Sequence, residues 1–174
     1  MDVRKTRPPR EKIKSIHVGG TNGKGSTVTY LRSILVEAGY EVGSFTSPYI
    51  EQFNERISIN GVPINDEEIV KLVNAIKPLA DELEQTEYGA PTEFEVITVM
   101  AMYYFGHIRP LDFAIFEVGL GGRLDSTNVI QPLLSIITNI GMDHIQILET
   151  QSKTSLMKKQ GLLKNIFLFY SRSK

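Results

Sequence analysis

Residues 14–31 read KSIHVGGTNGKGSTVTYL: a short β-rich run enters a turn dense in glycine, and a run compatible with a helix leaves it. The first run (14–20) predicts a buried strand, and the last predicts a helix from about Gly25 to Ala38. Small residues in such a turn let successive backbone N–H groups point inward, where the helix N-terminus adds positive potential. The stretch therefore predicts a strand–turn–helix unit that can bind phosphate.

The turn departs from the common phosphate-loop pattern G-x-x-x-x-G-K-[ST], because Gly25 follows Lys24 and Val18 stands at the first glycine position. Lys24 still offers a charge to the β- and γ-phosphates, and Ser26 or Thr27 can offer a hydroxyl to phosphate or Mg²⁺. The alternative is a tight strand-to-helix turn with a solvated lysine. The strand before and the helix after favour the phosphate site.

The remaining segments alternate between strand and helix. Strands are predicted at 41–47, 111–122 and 132–144, and a hairpin at 55–65 around Asn60-Gly61. Helices are predicted at 66–83, capped by Asp66, and at 91–107, capped by Thr92. This order predicts an α/β fold with a phosphate-loop-type, open, mostly parallel sheet flanked by helices.

Composition excludes several classes of protein. The 174 residues contain no cysteine, so disulfide frameworks and thiolate metal sites are excluded. The net charge of −1 gives no long-range attraction to nucleic acid or to an anionic membrane, and we expect neither as a partner. The charged start has no apolar signal-peptide core, and no segment is apolar enough to span a membrane. We therefore expect a cytoplasmic protein.

Several polar residues follow the predicted strands. Glu117 ends one strand beside a glycine-rich loop, and its carboxylate suits Mg²⁺ near a triphosphate; the alternative is a strand-edge glutamate next to a surface loop. His144 follows another strand and is a candidate second ligand, although a lone histidine there is more often a surface or cap residue. Ser47 could reach the metal, and Arg56 could pair with a substrate carboxylate.

Five segments in order carry a resemblance: HVGGTNGKGST, FTSPYIEQFNERI, PTEFEVIT, FEVGLGGRLDSTN and TNIGMDHIQIL. Together they resemble the folylpolyglutamate synthase/dihydrofolate synthase family of the Mur-ligase superfamily, over about Lys14 to Leu148. The lysine–glycine–serine ending of the turn is the form that this family uses. A general phosphate-loop kinase or GTPase is disfavoured, because the turn ends differently and no nucleotide-base motif is visible.

The resemblance implies a role for each matching position. ATP would be bound by Gly20, Thr21, Asn22, Gly23, Lys24, Gly25, Ser26, Thr27 and Asn128. The pteroate or folate substrate would be placed by Thr92, Glu93, Phe94, Glu95, Arg123 and Asp125. Mg²⁺ would be bound by Ser47, Glu117 and His144. Lys24 and His144 would be the catalytic residues.

The implied activity is that of an ATP-dependent amide ligase. The carboxylate of a folate or of dihydropteroate attacks the γ-phosphate, and the amino group of L-glutamate then attacks the resulting acyl phosphate. Such catalysis rests on positioning and charge neutralisation. The resemblance also implies small-molecule partners only, and a monomer.

The end of the chain departs from the family. Residues 149–174 begin ETQSKTSLMKKQGLLKN, where the family has G-D-S-I-E-D-I-A-Y-E-K-A-G-I-I-K-K. Codons that encode residues 148–165 can be chosen so that reading them two nucleotides later gives that family pattern. We therefore expect residues 1–148 to be a partial, incomplete Mur-ligase central domain and residues 149–174 to be an out-of-frame tail. We also expect the C-terminal glutamate-ligase domain to be absent. The alternative to an active ligase is that the chain is an inactive, truncated ATP-binding fragment of such an enzyme.

Overall fold

The structure is a computed structural model, which describes residues 13–139. Within that range lie six strands and three α-helices. The strands are β1 (Ser15–Gly19), β2 (Val42–Phe45), β3 (Ile57–Ile59), β4 (Val62–Pro63), β5 (Phe113–Glu117) and β6 (Leu134–Ile137). The helices are α1 (Lys24–Glu37), α2 (Asp66–Glu84) and α3 (Glu93–Tyr103). The predicted tail at 149–174 lies outside the described residues.

The strands form one mixed sheet in the order β4-β3-β2-β5-β1-β6. Strands β2, β5, β1 and β6 are parallel, whereas β3 and β4 form an antiparallel hairpin at one edge. Asn60 and Gly61 form the hairpin turn with φ of 51° and 87°, which is the left-handed conformation that this pair favours. The predicted mostly parallel α/β sheet and its hairpin are confirmed.

The strand order determines which loops meet. Strand β5 lies between β1 and β2, although more than sixty residues separate it from β2 in sequence. All three strands are parallel, so their carboxyl ends lie at the same edge of the sheet. The end of β5, at Glu117, is therefore flanked by the loop that leaves β1 and the loop that leaves β2. Ligands of open α/β sheets bind at this kind of edge.

Side-chain alternation along the strands builds a core on each face of the sheet. On one face, Val28 of α1 packs with Ile16, Val18, Ile115 and other strand residues. On the other face, α2 and α3 contribute the buried side chains that cover Phe45 and Phe116. Burying side chains of this size stabilises a fold by about 1.5–3 kcal/mol each. The helices thus fix the sheet on both sides and leave its carboxyl edge accessible.

The two later helices begin with capping boxes. Thr92 caps α3 as predicted, with its side chain accepting the Glu95 N–H. The predicted Asp66 cap of α2 is wrong, because Asn65 is the cap residue and Asp66 is the first helical residue. Asn65 has the extended backbone that a cap needs, and its side chain and that of Glu68 each accept the other's backbone N–H.

Candidate active site

The loop that leaves β1 opens directly into α1. Gly23 is the N-cap residue of this helix, with a left-handed backbone at φ 79° that glycine adopts without strain. The first intrahelical bond joins the Thr27 N–H to the Gly23 carbonyl at 3.0 Å. The N–H groups of Lys24, Gly25 and Ser26 therefore have no acceptor within the helix. This helix end offers N–H donors and partial positive charge to an anion.

The start of α1 differs from the starts of α2 and α3. Those two helices have capping boxes and acidic residues in their first turns. No side chain caps α1 among the described residues, and its first turn contains no acidic residue. Within the described part of the chain, α1 is thus the helix whose N-terminal charge the protein itself leaves uncompensated.

The end of β6 braces the β1–α1 loop (residues 20–23). The side-chain oxygen of Asn139 accepts the N–H groups of Thr21 at 3.0 Å and Asn22 at 2.8 Å. Thr138 donates its hydroxyl to the Asn22 carbonyl at 2.6 Å. A Cβ on Gly20 would lie 1.9 Å from the Thr138 hydroxyl, so this position requires glycine. The N–H groups of Thr21 and Asn22 are thus engaged within the protein, which leaves the helix start for a ligand.

No role was predicted from the sequence for Thr138 and Asn139, although they begin the segment TNIGMDHIQIL. Both follow the apolar strand β6, and strand-end polar residues are the signal that had singled out Glu117. Their position beside the β1–α1 loop depends on β6 pairing with β1, which no local pattern reveals.

Lys24 lies between this loop and the end of β5. Its ammonium group donates to the Thr21 carbonyl at 3.4 Å, and its positive charge acts to lower the pKa of Glu117. Ser26 is exposed nearby, whereas Thr27 donates its hydroxyl back to the Gly23 carbonyl at 2.8 Å. The predicted lysine and the predicted carboxylate thus lie at the same edge of the sheet.

Glu117 is buried at the end of β5, with 5% of its surface exposed. Burial raises the pKa of its carboxyl group, and the Ser47 N–H and the Lys24 charge partly oppose that rise. The Ser47 N–H donates to Glu117 Oε2 at 3.3 Å, which connects the ends of β2 and β5. A Cβ on Gly25 would lie 3.7 Å from the same oxygen, so the start of α1 also approaches it.

These residues fit a magnesium ion held jointly with phosphate. Among the described residues, no group of three histidine, cysteine or acidic side chains could hold a metal alone. Mg²⁺ commonly takes one or two protein carboxylates and completes its octahedral shell with phosphate and water. Glu117, with Ser47 beside it, matches that need, and the third predicted ligand, His144, lies outside the described residues.

A cleft of about 580 Å³ adjoins this site on the side of β2. Its lining residues are Ser47, Pro48, Arg56, Thr92, Phe94, Gly119, Leu120, Gly121, Gly122, Arg123, Leu124, Asp125 and Ser126. Ser47 lines the cleft and also contacts Glu117, so the cleft and the site at the strand ends meet at this residue. The cleft is mainly apolar, as ligand sites with few orienting polar groups are.

Arg56 is the most buried positive charge that lines the cleft. Its side chain is 13% exposed, and its guanidinium lies 5.0 Å from the centre of the Tyr49 ring and 3.9 Å from the Glu93 carboxylate. Its Nε is buried without a hydrogen-bond partner among the described residues. The exposed part of the Arg56 guanidinium can donate to a ligand in the cleft.

The four predicted substrate residues at 92–95 divide between two roles. Thr92 and Phe94 line the cleft, while Glu93 faces Arg56. Glu95 does not line the cleft, because its carboxylate accepts the Thr92 N–H and hydroxyl, each at 2.7 Å. The hydrogen bond from the Thr92 backbone N–H contributes most to lowering the pKa of Glu95, and the hydrogen bond from the Thr92 hydroxyl contributes next most.

The predicted residues at 123–128 belong to the cleft loop (residues 119–128). Arg123 is exposed and lines the cleft. Asp125 also lines it, but both of its carboxylate oxygens accept hydrogen bonds from the loop itself. Asn128 does not line the cleft, and its side chain donates to the Arg123 carbonyl at 3.0 Å. Asp125 and Asn128 therefore shape the loop within the described structure.

Across residues 13–139, no helix has both the length and the apolar character that a membrane crossing requires.

Comparison with known protein families identifies one that matches most of the chain. The Mur ligase middle domain family matches residues 18–166.

The chain is 58% identical over 156 residues to the dihydrofolate synthase/folylpolyglutamate synthase of Bacillus subtilis (strain 168), covering 90% of this chain and 36% of that protein. Among solved structures, an FPGS–AMPPCP complex matches with a TM-score of 0.84 and 40% identity, and an FPGS–AMPPCP–folate complex with 0.83 and 40%. Each match covers 89% of this chain and 38% of the other. The chain thus spans somewhat more than a third of the length of these relatives.

Proposed function

The chain belongs to the Mur ligase family through its middle domain, and on that premise we propose that it supplies the ATP-binding part of a ligase that joins L-glutamate to a folate, to dihydropteroate or to both. One observation carries the proposal: the uncapped N-terminus of α1, which begins at Lys24, approaches the buried Glu117 at the end of a neighbouring strand, since a Cβ on Gly25 would lie 3.7 Å from Glu117 Oε2. The similar proteins named for this activity, and the solved complexes with AMPPCP and folate, support it.

The ATP phosphates bind at the start of α1. The N–H groups of Lys24, Gly25 and Ser26 are the donors without intrahelical acceptors, and the helix dipole favours anions there. The Lys24 ammonium stabilises the negative charge on the γ-phosphate as that group is transferred. Asn139 and Thr138 hold the preceding loop in the shape that directs these donors.

Glu117, Ser47 and His144 are the proposed ligands of Mg²⁺. When bound, this ion neutralises phosphate charge and orients the γ-phosphate for transfer. The buried position of Glu117 raises its pKa in the protein without metal. A nearby cation relieves that unfavourable burial of charge, because it stabilises the ionised carboxylate.

The cleft beside Ser47 receives the substrate whose carboxylate is activated. Phe94 and Leu120 offer apolar surface to a flat ring, and the guanidinium of Arg56, which lines the cleft, offers donors to a carboxylate or carbonyl oxygen. Since Ser47 belongs to both the cleft and the strand-end site, a carboxylate at that end of the cleft lies next to the γ-phosphate.

Two steps complete the reaction. A substrate carboxylate oxygen forms a bond to the γ-phosphorus while the bond to the bridging oxygen breaks, giving an acyl phosphate and ADP. The amino nitrogen of L-glutamate then attacks the carbonyl carbon, loses a proton, and expels phosphate to leave an amide. The residues of this chain act through positioning and electrostatic stabilisation in the first step.

The test is ATP-dependent addition of glutamate to dihydropteroate and to tetrahydrofolate, with the Lys24→Ala variant as control. Turnover that disappears in the variant supports ligase activity in this chain. If the 174-residue chain gives no turnover and also binds no ATP analogue, the proposed site is wrong.

A second candidate, an inactive ATP-binding fragment, rests on the sequence of residues 149–174. Because a shifted reading of possible codons for residues 148–165 gives the family pattern, we infer that one nucleotide is missing near the Leu148 codon. Under this candidate, nucleotide affinity is at best weak and turnover is undetectable. Sequencing the locus tests it: a shifted frame must resume the family sequence, and its absence overturns the candidate.

A further inference from the structure

A histidine stands in the middle of the strand that leads to the β1–α1 loop. His17 is 2% exposed, and its neighbours Ile16 and Val18 belong to the core on the α1 face. Alternation along β1 turns His17 to the opposite face, where its Nε2 lies 2.7 Å from the Thr127 hydroxyl oxygen. Central parallel strands are normally apolar, and a buried imidazole costs free energy unless it is hydrogen-bonded. This position therefore calls for an explanation beyond packing.

The contact continues into the cleft loop. The Thr127 hydroxyl and N–H both donate to Asp125 Oδ1, at 2.5 and 2.9 Å. The other oxygen of Asp125 accepts the Leu120 N–H at 2.8 Å. Thr127 is fully buried and Asp125 is 7% exposed. One buried chain of hydrogen bonds thus runs from β1 to the backbone of residue 120, at the wall of the cleft.

The direction of each hydrogen bond follows from the groups present. A carboxylate only accepts, so the single hydroxyl proton of Thr127 points to Asp125. The Thr127 oxygen then accepts from His17, which requires the imidazole tautomer with its proton on Nε2. Buried polar networks whose members are satisfied are rigid and specify one geometry.

We propose that His17 is a positioning residue that fixes the cleft loop on the strand carrying the β1–α1 loop. Resting on the proposed function, this inference assigns His17 to the folate-type ligand in the cleft and not to the nucleotide. The division follows from the contacts, because the Thr127–Asp125 chain ends at cleft-lining residues, whereas Thr138 and Asn139 brace the β1–α1 loop separately.

Two threonine-to-valine changes, each of which removes one hydroxyl at nearly constant shape, test this division. In Thr127→Val the affinity for dihydropteroate falls about tenfold, because a buried hydrogen bond that holds the cleft loop is lost, while the affinity for AMPPCP stays within about twofold. Thr127→Ser keeps the hydroxyl and restores binding. Thr138→Val weakens AMPPCP and spares dihydropteroate. Equal effects on both ligands, or none, in Thr127→Val overturn the proposal.

Two further measurements need no ligand, so they separate failure of this inference from failure of the proposed function. Amide exchange at Leu120 accelerates about tenfold in Thr127→Val but not in Thr127→Ser or Thr138→Val. The reason is that Asp125, which accepts the Leu120 N–H, loses its hydrogen bond from the Thr127 hydroxyl in Thr127→Val alone. Long-range ¹H–¹⁵N spectra of the wild-type chain show His17 protonated on Nε2. Unchanged Leu120 exchange, or a proton on Nδ1 alone, contradicts the proposal even if neither ligand binds.

Discussion

The Ser47 N–H donates a hydrogen bond of 3.3 Å to Glu117 Oε2, across the carboxyl edge of the sheet. This contact exists because β5 lies between β1 and β2, so that the end of β5 meets the loops that leave both neighbours. It places a buried carboxylate between a cleft and a helix N-terminus. The proposed ligase chemistry depends on that arrangement, because a phosphate and the substrate carboxylate must meet there.

The charge of Lys24 is expected to contribute strongly to nucleotide affinity. In Lys24→Ala, affinity for AMPPCP with Mg²⁺ falls on the order of 10- to 100-fold, because a hydrogen bond to a charged group is worth about 1.5–3 kcal/mol. Calorimetric titration measures the change. The exposed Lys71 of α2 provides a matched control, and Lys71→Ala keeps wild-type affinity. Equal losses in both variants would exclude a specific role for Lys24.

Replacing Glu117 by glutamine is expected to stabilise the protein without ligand and to impair metal-dependent binding. Burial raises the pKa of Glu117, so the folded state at neutral pH bears the cost of a buried charge. That cost is absent below the unfolded-state pKa, where the carboxyl group is protonated in both states, and is complete above the folded-state pKa. Glu117→Gln therefore raises the melting temperature at pH 7 more than at pH 4.

In Glu117→Gln, the increase in AMPPCP affinity that Mg²⁺ confers is expected to be smaller by about tenfold or more. Loss of a residue at a metal site commonly has an effect of this size. Thermal unfolding and titration with and without Mg²⁺ supply both numbers. A less stable variant that still responds fully to Mg²⁺ is incompatible with Glu117 as the ligand.

Asn139 is expected to preorganise the β1–α1 loop. Asn139→Ala removes the acceptor of two backbone N–H groups, and we expect AMPPCP affinity to fall about tenfold, since each such bond contributes about 0.5–1.5 kcal/mol. The exposed Asn74 on α2 gives the control Asn74→Ala. Unchanged affinity in Asn139→Ala would show that the loop holds its shape without the β6 brace.

The capping box of α3 is expected to stabilise the wall of the cleft. Thr92→Ala lowers the free energy of unfolding by about 1 kcal/mol, as loss of a threonine N-cap does. Thr29→Ala, at an exposed position on α1, is the matched control. Chemical denaturation measures both, and equal effects at the two sites would argue against the cap.

This contribution depends on pH through Glu95. The Thr92 backbone N–H and hydroxyl lower the pKa of Glu95 in the folded state. The stabilisation is therefore present above the unfolded-state value of about 4.3 and is lost as pH falls through the lower folded value. The difference between wild type and Thr92→Ala narrows in acid, and a difference that widened there would contradict this assignment.

The unit from β1 to α1 could be predicted from sequence, because a strand, a glycine turn and a helix are local features of residues 14–31. The position of β5 between β1 and β2 could not be predicted in this way, since strand order depends on packing between distant segments. For the same reason, Glu117 was identified from its strand end, whereas its contact with Ser47 and the brace by Asn139 were not.

Two local assignments show where pattern reasoning was incomplete. Asp66 and Asn65 are both good cap residues, and only the reciprocal bonds with Glu68 identify Asn65. Asp125 begins an Asp-Ser-Thr-Asn run, in which a side chain readily accepts nearby backbone N–H groups. The Asp125 carboxylate accepts the Leu120 and Thr127 N–H groups in this way. These local hydrogen bonds could have been predicted from the sequence, in addition to the predicted substrate role of Asp125.

The shared magnesium–nucleotide site is tested by locating the metal in crystals of the 174-residue chain grown with AMPPCP and with Mn²⁺ in place of Mg²⁺. We expect an anomalous peak within about 2.5 Å of a Glu117 carboxylate oxygen, as metal–oxygen coordination requires. We also expect the γ-phosphate of the analogue to contact the Lys24 ammonium at the start of α1. A metal bound elsewhere, or an analogue whose phosphates avoid Lys24, would contradict the shared magnesium–nucleotide site.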